Sequence, residues 1–272
     1  MKNIGLPVLA GLLAAGCSSG PPAPAKGTPA FYWSAARENF AKSDWLKTAD
    51  NLAAVAKSSN EYTKPAIAWN LALTAGLASG YAELADAFEI GGRVNKANPG
   101  PFRKQMNDYR TLASRAALSL AEQMGRMKEL EGEKIPLDFP FPAGTVAPSP
   151  VIGKVQTGIL PAAGEAEAAE KKTLEKNILE ALSAAAGAAD AAKAREMMKA
   201  GAIEVPAAVY KMAIARGLAT AAGQYAATKL DQPDKLKALA EMAQNLMKGA
   251  PESKETKELN DKIAGLLKKK AA

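Results

Sequence analysis

Apolar residues recur every three or four positions over two long stretches of the chain, from about residue 28 to 131 and from about 165 to 267. This spacing places them on one face of an α-helix. Runs that alternate apolar and polar residues between hairpin turns do not occur, so we expect no strands. The pattern predicts an all-α fold of helical hairpins or a helical bundle. The clearest stripes are Trp33, Ala36 and Phe40, then Trp45, Ala49, Leu52, Ala53 and Ala56.

Capping residues and prolines set the expected helix boundaries. In the first stretch, Ser43 or Asp44 caps the second helix. Asp231 or Asp234 and Gly249 bound a helix of the second stretch. The predicted helices after the first pair are Pro65–Ile90, Phe102–Leu130, two within Lys171–Lys199, Pro206–Lys229, Asp234–Lys248 and one from Ser253.

The uncharged run Pro65–Ala82 has the length of a membrane span but carries Asn70, Thr74 and small residues. That polarity favours a buried central helix over a lipid-facing one. Gly76, and Gly217 in the second stretch, lie in helix interiors, where glycine is unfavourable. We expect each to allow close approach of a neighbouring helix.

Residues 133–164 interrupt the helical pattern with six prolines. Proline removes a helical hydrogen bond and clashes with the preceding turn, so no helix is expected here. Apolar residues lie between the prolines. They favour a crossover segment packed over the body, rather than a free linker, between helical halves 29–132 and 165–270.

The two halves contain one similar segment. Pro65–Ala78 aligns without gaps on Pro206–Ala219, with proline, glycine and leucine coinciding and Trp69 opposite Tyr210. Matched alanines carry little weight in so alanine-rich a chain. The alignment indicates a possible duplication, which would make the protein two related halves.

Composition restricts the chemistry. The chain has no histidine and one cysteine, which removes histidine-based catalysis and thiolate metal cages. The carboxylates of Glu83, Asp86 and Glu89 share a helix face. They either line an acidic groove, oppose Arg93 and Lys96, or form a solvated face. No acid–base pair stands out, so we predict neither enzymatic activity nor a metal or other cofactor.

The net charge of +7 is spread thinly along the chain. A diffuse surplus suits anionic lipid or wall polymer, and it equally suits an ordinary protein surface. Basic residues do not alternate with aromatic ones on any predicted helix, so nucleic acid is not an expected partner.

The N-terminus combines Lys2, the apolar run Ile4–Leu13 and small residues before the single cysteine, which is the pattern of a secretory signal. Ala14-Ala15-Gly16-Cys17 resembles the lipobox of bacterial lipoproteins. The resemblance implies removal of residues 1–16 and acylation of Cys17, with residues 17–28 as a flexible tether. It also implies export and a membrane partner held through that lipid. Because Ser18 is not aspartate, we expect the outer membrane facing the periplasm, or the outer face of a single plasma membrane.

Residues 29–60 resemble a tetratricopeptide hairpin. Trp33, Ala36 and Phe40 match the spacing of its first helix, and Ala49, Ala53 and Ala56 its small-residue positions. The resemblance implies two antiparallel helices.

Two functions fit these features. Most aromatic residues are expected in the core, but Phe31, Tyr32, Trp33 and Trp45 lie near the tether and are candidates for a docking patch. On that basis we predict an adaptor or assembly factor that binds another envelope protein. The alternative is a lipid or other apolar ligand held in a groove between the alanine-rich helices.

Overall fold

A computed structural model describes residues 24–142 and 147–268. Within these ranges the protein is all-α, as predicted, with one small two-stranded sheet and a short 3₁₀ helix, Met127–Leu130. The helices are α1 (Pro29–Ala41), α2 (Trp45–Val55), α3 (Thr63–Val94), α4 (Gly100–Met124), α5 (Pro150–Gln156), α6 (Ala163–Ala185), α7 (Ala191–Met197), α8 (Ala207–Gly223), α9 (Pro233–Leu246) and α10 (Lys254–Lys268). The strands are β1 (Lys134–Leu137) and β2 (Ile203–Pro206).

Helix α3 is the centre of the fold. Of its 32 residues, 22 are buried, and it packs against α2, α4, α5, α6, α8 and β1. The prediction of a buried central helix is confirmed, although α3 extends beyond the expected Pro65–Ile90. Of the helices described, none combines the length and apolar character needed to cross a bilayer.

Helices α6 and α8 approach α3 closely at two glycines, Gly76 of α3 and Gly217 of α8. A Cβ atom at Gly76 would lie 2.5 Å from the Cα atom of Ile178, and one at Gly217 would lie 2.6 Å from the Cβ atom of Ala75. Both contacts are shorter than a carbon–carbon contact of about 3.5 Å allows. The close approach expected at both glycines is therefore present.

The first two helices form the predicted hairpin. Asp44 is the N-cap of α2, where its side chain accepts a hydrogen bond from the backbone N–H of Lys47 at 3.3 Å. Trp33 lies edge-on to Trp69, with 5.5 Å between the ring centroids, and fixes the hairpin on α3. Ala53, expected in the buried stripe of α2, is exposed.

The proline-rich segment contains regular structure, so the expectation of neither strand nor helix there was wrong. Strand β1 pairs antiparallel with β2, with Ile135 opposite Val205. Pro136 is tolerated because each strand of a two-stranded sheet has an edge that needs no partner. Pro150 occupies the first turn of α5, where a missing N–H costs nothing.

The first part of the crossover packs against the helical body, as predicted. Ile135, Leu137 and Phe139 are all at most 2% exposed and belong to the core that surrounds α3. Ile159 and Leu160, at its far end, are exposed.

The two segments aligned in the sequence belong to α3 and α8, which lie against each other. The hydroxyl group of Tyr210 donates a hydrogen bond to the backbone carbonyl of Ala68 at 2.9 Å. Trp69 and Tyr210 are both fully buried. The duplication of the two halves stays a prediction.

Candidate functional site

The aromatic docking patch expected from the sequence is largely closed. Trp33 and Trp45 are only 8% and 6% exposed and form part of the core, which corrects their assignment as partner-binding residues. Phe31 and Tyr32 are half-buried and pack edge to face. The predicted lipidation site, Cys17, and the whole lipobox lie outside the described residues.

A groove of about 1380 Å³ runs along α3 between α6 and α8. A stripe of α3 forms its floor and α6 and α8 form its walls. Ala191 and Ala192 of α7 also line it, and Gln156 of α5 and Glu255 of α10 lie at its rim. The principal lining residues are Ala75, Ser79, Ala82 and Asp86 on the floor, Leu179, Ser183, Ala184 and Gly187 on the α6 side, and Val209, Met212, Ala213, Thr220 and Gln224 on the α8 side.

Small side chains leave this space open. Of the 28 residues that line the groove, ten are alanine and two are glycine. The contacts at Gly76 and Gly217 hold α6 and α8 close to the α3 backbone below the groove. Methyl groups above those contacts are too short to fill the gap between the two walls.

The ends of the groove differ in chemistry. Helix α6 runs antiparallel to α3, because Gly76 meets Ile178 whereas Glu83 meets Lys176. The end near the C-terminus of α6 is therefore the one farther from Glu83. It is lined mostly by small or apolar residues, with the carboxylate of Asp190 beside them; the small or apolar residues include Ala184, Gly187, Ala188, Val209, Met212 and Ala213.

The opposite end carries paired charges. Lys176 Nζ lies 2.8 Å from Glu83 Oε2, and Asn177 Nδ2 donates to the same oxygen at 2.8 Å. Lys229 Nζ lies 2.5 Å from Asp86 Oδ1. These partners come from parts of the chain that are about 90 to 140 residues away in sequence.

The three carboxylates predicted to share a face therefore have separate surroundings. Glu83 and Asp86 line the groove, which fits the acidic-groove alternative. Glu89 lies farther along α3, where it pairs with Arg93 and with Arg110 Nη2, the latter at 2.8 Å. The expected opposition to Arg93 is thus present for Glu89 alone.

Gln224 is the unsatisfied polar residue of the groove. Its side chain is 4% exposed, and its Oε1 atom accepts no hydrogen bond from any described residue. Of the buried side-chain atoms without a partner in the described ranges, this is the one whose residue lines the groove. A buried acceptor without a partner is costly, and a ligand that donates a hydrogen bond would remove that cost.

The α8 wall continues into α10 through polar contacts. Arg216 Nη2 lies 3.5 Å from Glu255 Oε2, and Lys262 Nζ donates a hydrogen bond to Thr220 Oγ1 at 3.2 Å. Burial, together with the nearby Arg216 guanidinium, lowers the pKa of Lys262 from its ordinary value. These contacts join the C-terminal helix to the rim.

The groove is acidic although the chain is basic. Five carboxylates line it, against the two cations Lys176 and Arg216, whereas the chain as a whole carries +7. The lining carboxylates are Glu83, Asp86, Glu180, Asp190 and Glu255. In residues 24–142 and 147–268, no three His, Cys, Asp or Glu side chains form a group that could hold a metal ion.

From the sequence, a groove between alanine-rich helices was only the alternative hypothesis, and none of its lining residues was named. The available signals were the mid-helix glycines Gly76 and Gly217, and the small residues Ser183 and Ala184 of α6 with Gly187 just after its end. The role of Gln224 could not be predicted from the sequence, because whether its side chain has a hydrogen-bond partner depends on the residues packed around it.

Comparison of the chain with protein-family models, with curated proteins and with solved structures found no match. The function is therefore argued from the groove itself.

Proposed function

We propose that this protein binds one elongated amphiphilic molecule in the groove between α3, α6 and α8. The main support is the groove of about 1380 Å³, which is lined mostly by small apolar residues at one end, apart from Asp190, and by paired charges and amide groups at the other. This is the apolar-ligand alternative of the sequence analysis. The adaptor alternative is weaker because two of its four docking residues, Trp33 and Trp45, are buried.

The lining suggests how such a ligand would lie. An aliphatic chain placed between Ala184, Val209 and Ala213 would replace water against methyl groups, which is favourable in proportion to the apolar area covered. The volume exceeds the roughly 300–1,000 Å³ of pockets for drug-sized molecules. The groove therefore has room for a chain longer than such molecules.

The polar end favours a particular headgroup. Glu83 and Asp86 are each paired with a lysine, so the group left without a partner here is Gln224 Oε1, a hydrogen-bond acceptor. It selects a headgroup that donates hydrogen bonds, such as a hydroxyl or an amine. An ionised fatty-acid carboxylate has no proton to donate to it.

We also propose that the protein acts at a membrane, as an exported lipoprotein anchored through Cys17. The support is the sequence pattern that resembles a lipobox, and the short Ser/Gly/Pro-rich segment that follows it.

A binding titration with matched variants tests the groove. Hexadecanol, hexadecylamine and hexadecanoate would displace an environment-sensitive apolar dye from the purified full chain. We expect the alcohol and the amine to displace the dye at lower concentration than the acid. Ala184→Trp, which fills the groove from the α6 wall, should weaken binding by about tenfold or more, equivalent to ~1.4 kcal/mol.

Ala168→Trp is the control, because Ala168 is exposed on the same helix and does not line the groove. Ala213→Trp repeats the test from the α8 wall, and circular dichroism checks that each variant is folded. Binding that is unchanged in both folded groove variants, or no dye binding by the parent protein, would contradict the proposal.

A further inference from the structure

One end of the molecule concentrates exposed apolar side chains. We call it the tip, and it comprises residues 90–104 and 150–160. Seven large apolar residues are exposed in the described part of the chain, and four of them lie at the tip. They are Ile90, Val94, Ile159 and Leu160, with exposed fractions of 43, 54, 56 and 38%.

Close backbone contacts hold the two segments of the tip together. A Cβ atom at Gly91 would lie 2.3 Å from the carbonyl oxygen of Val155, so α5 lies directly on the last turn of α3. Gly158 has a φ of +84° and contacts Val94, and its carbonyl accepts a hydrogen bond from Asn95 Nδ2 at 3.0 Å. These contacts place Ile159 next to Val94 and fix the apolar patch.

The tip is also uniformly basic. The segments 90–107 and 139–164 contain no aspartate or glutamate, although the chain has 28 acidic residues. In the described structure Arg93 pairs with Glu89 and Lys104 with Asp108. The remaining cations of the tip, Lys96, Arg103 and Lys154, make no ion pair with a described residue.

A cavity of about 510 Å³ lies on the α4 side of the tip. Arg93, Lys96 and Arg103 line it together with Phe88 and Met106, and the one acidic lining residue, Glu89, is paired with Arg93 and Arg110. Cations and apolar groups are thus adjacent on both sides of the α3 terminus.

We propose that the tip binds the surface of an anionic lipid bilayer. The aliphatic side chains would enter the boundary between headgroups and acyl chains, and the cations would pair with lipid phosphates. Charge of one sign around exposed aliphatic residues matches that surface. Protein interfaces, in contrast, are enriched in aromatic residues, and none of the four exposed apolar residues at the tip is aromatic.

The tip lies far from the N-terminal hairpin. Trp69 contacts Trp33 of α1, and Val94 is 25 residues farther along α3, a rise of about 38 Å. The tip would therefore be a membrane contact separate from the lipid proposed on Cys17. Gln156 of α5 lines the charged end of the groove, so a bilayer at the tip would lie beside that end.

Vesicle flotation of residues 18–272, which lack both the apolar run Ile4–Leu13 and the cysteine that would be acylated, tests the tip. Vesicles containing phosphatidylglycerol are compared with vesicles of phosphatidylcholine alone. We expect binding to the anionic vesicles, release at about 0.5 M NaCl because salt screens the charges, and little binding to the neutral ones. The double variants V94S/I159S and K96E/R103E should each reduce the bound fraction by about fivefold or more.

The controls change residues of the same kind at surface positions away from the tip. L46S/M197S removes exposed apolar residues away from the tip, and K57E/K199E makes the same charge change. Both should bind as the parent does. Equal binding by the tip variants and their controls, equal binding to both vesicle types, or no vesicle binding at all would overturn the proposal. Self-association that only the tip variants abolish, without vesicle binding, would instead assign the tip to a second copy of the chain.

Discussion

Gly76 and Gly217 determine how closely α6 and α8 can approach α3. At Gly76 the nearest atoms are backbone atoms of α6, which cannot rotate away as a side chain can. At Gly217 the nearest atom is the Cβ of Ala75, so both glycines face the parts of a neighbouring helix that have least freedom. These two contacts set the height of the groove walls above α3.

Gly76→Ala should therefore destabilise the fold, although alanine favours a helix. The added Cβ atom would lie 2.5 Å from Ile178 Cα, so α6 must move. We expect a loss of roughly 2 kcal/mol in the free energy of unfolding, typical of overpacking. Urea denaturation followed by circular dichroism measures it.

Gly265→Ala is the matched control, because a Cβ atom at this exposed position of α10 meets no atom within 4 Å. This substitution should stabilise the protein by up to about 1 kcal/mol through helix propensity alone. Equal effects of the two substitutions would show that the Gly76 contact does not constrain α6.

Individual site residues were predictable to different degrees. Gly76 and Gly217 were identifiable because a mid-helix glycine has a known cost. Trp33 and Trp45 were misassigned as docking residues, since an amphipathic aromatic fits either a core or an interface. The partners of Glu83 and Asp86, Lys176 and Lys229, could not be found from sequence spacing, because they come from other elements.

At the scale of elements, β1 ties the crossover to the core. Ile135 is fully buried, lies opposite Val205 of β2, and belongs to the cluster around α3. The strand therefore connects the first helical half, the crossover and the segment that leads into α8.

Ile135→Ala should cost about 3 kcal/mol in the free energy of unfolding, within the range for large-to-small changes in a core. Leu46→Ala, at a position 63% exposed, should change it by less than about 0.5 kcal/mol. Chemical denaturation of both variants against the parent protein provides the comparison. If the two substitutions had similar small effects, β1 would not be anchored in the core.

The helices were predictable and the sheet was not. Long periodic segments such as α3 repeat the helical signal over many turns, so their existence follows from local sequence. Strands β1 and β2 have four residues each and contain or adjoin proline. Their formation depends on about 70 residues of intervening chain bringing them side by side.

At the scale of the whole molecule, α3 forms part of the core of both halves. It packs against α2 and α4 from the first half and against α6 and α8 from the second. The aromatic residues Trp33, Trp45 and Trp69, which account for all the tryptophan in the chain, belong to the first half. Their fluorescence therefore reports on one half, whereas circular dichroism reports on both.

We expect the two signals to change in a single, coincident urea transition, because neither half buries α3 without the other. Leu218→Ala, in the second half and fully buried, should lower both midpoints equally. A fluorescence transition that stays in place while the dichroism transition shifts would show that the halves unfold independently.

The helical class, the buried character of the central helix and the close helix contacts at Gly76 and Gly217 could all be predicted from the sequence. Those properties follow from local periodicity and from the geometry of single residues. Only the tertiary structure decided that Glu83 and Asp86 meet cations from other elements, that Gln224 lacks a partner, and that Ile90, Val94 and Ile159 share an exposed basic end. Each of these depends on which distant segments pack together, and that is fixed by the burial of the whole chain around α3.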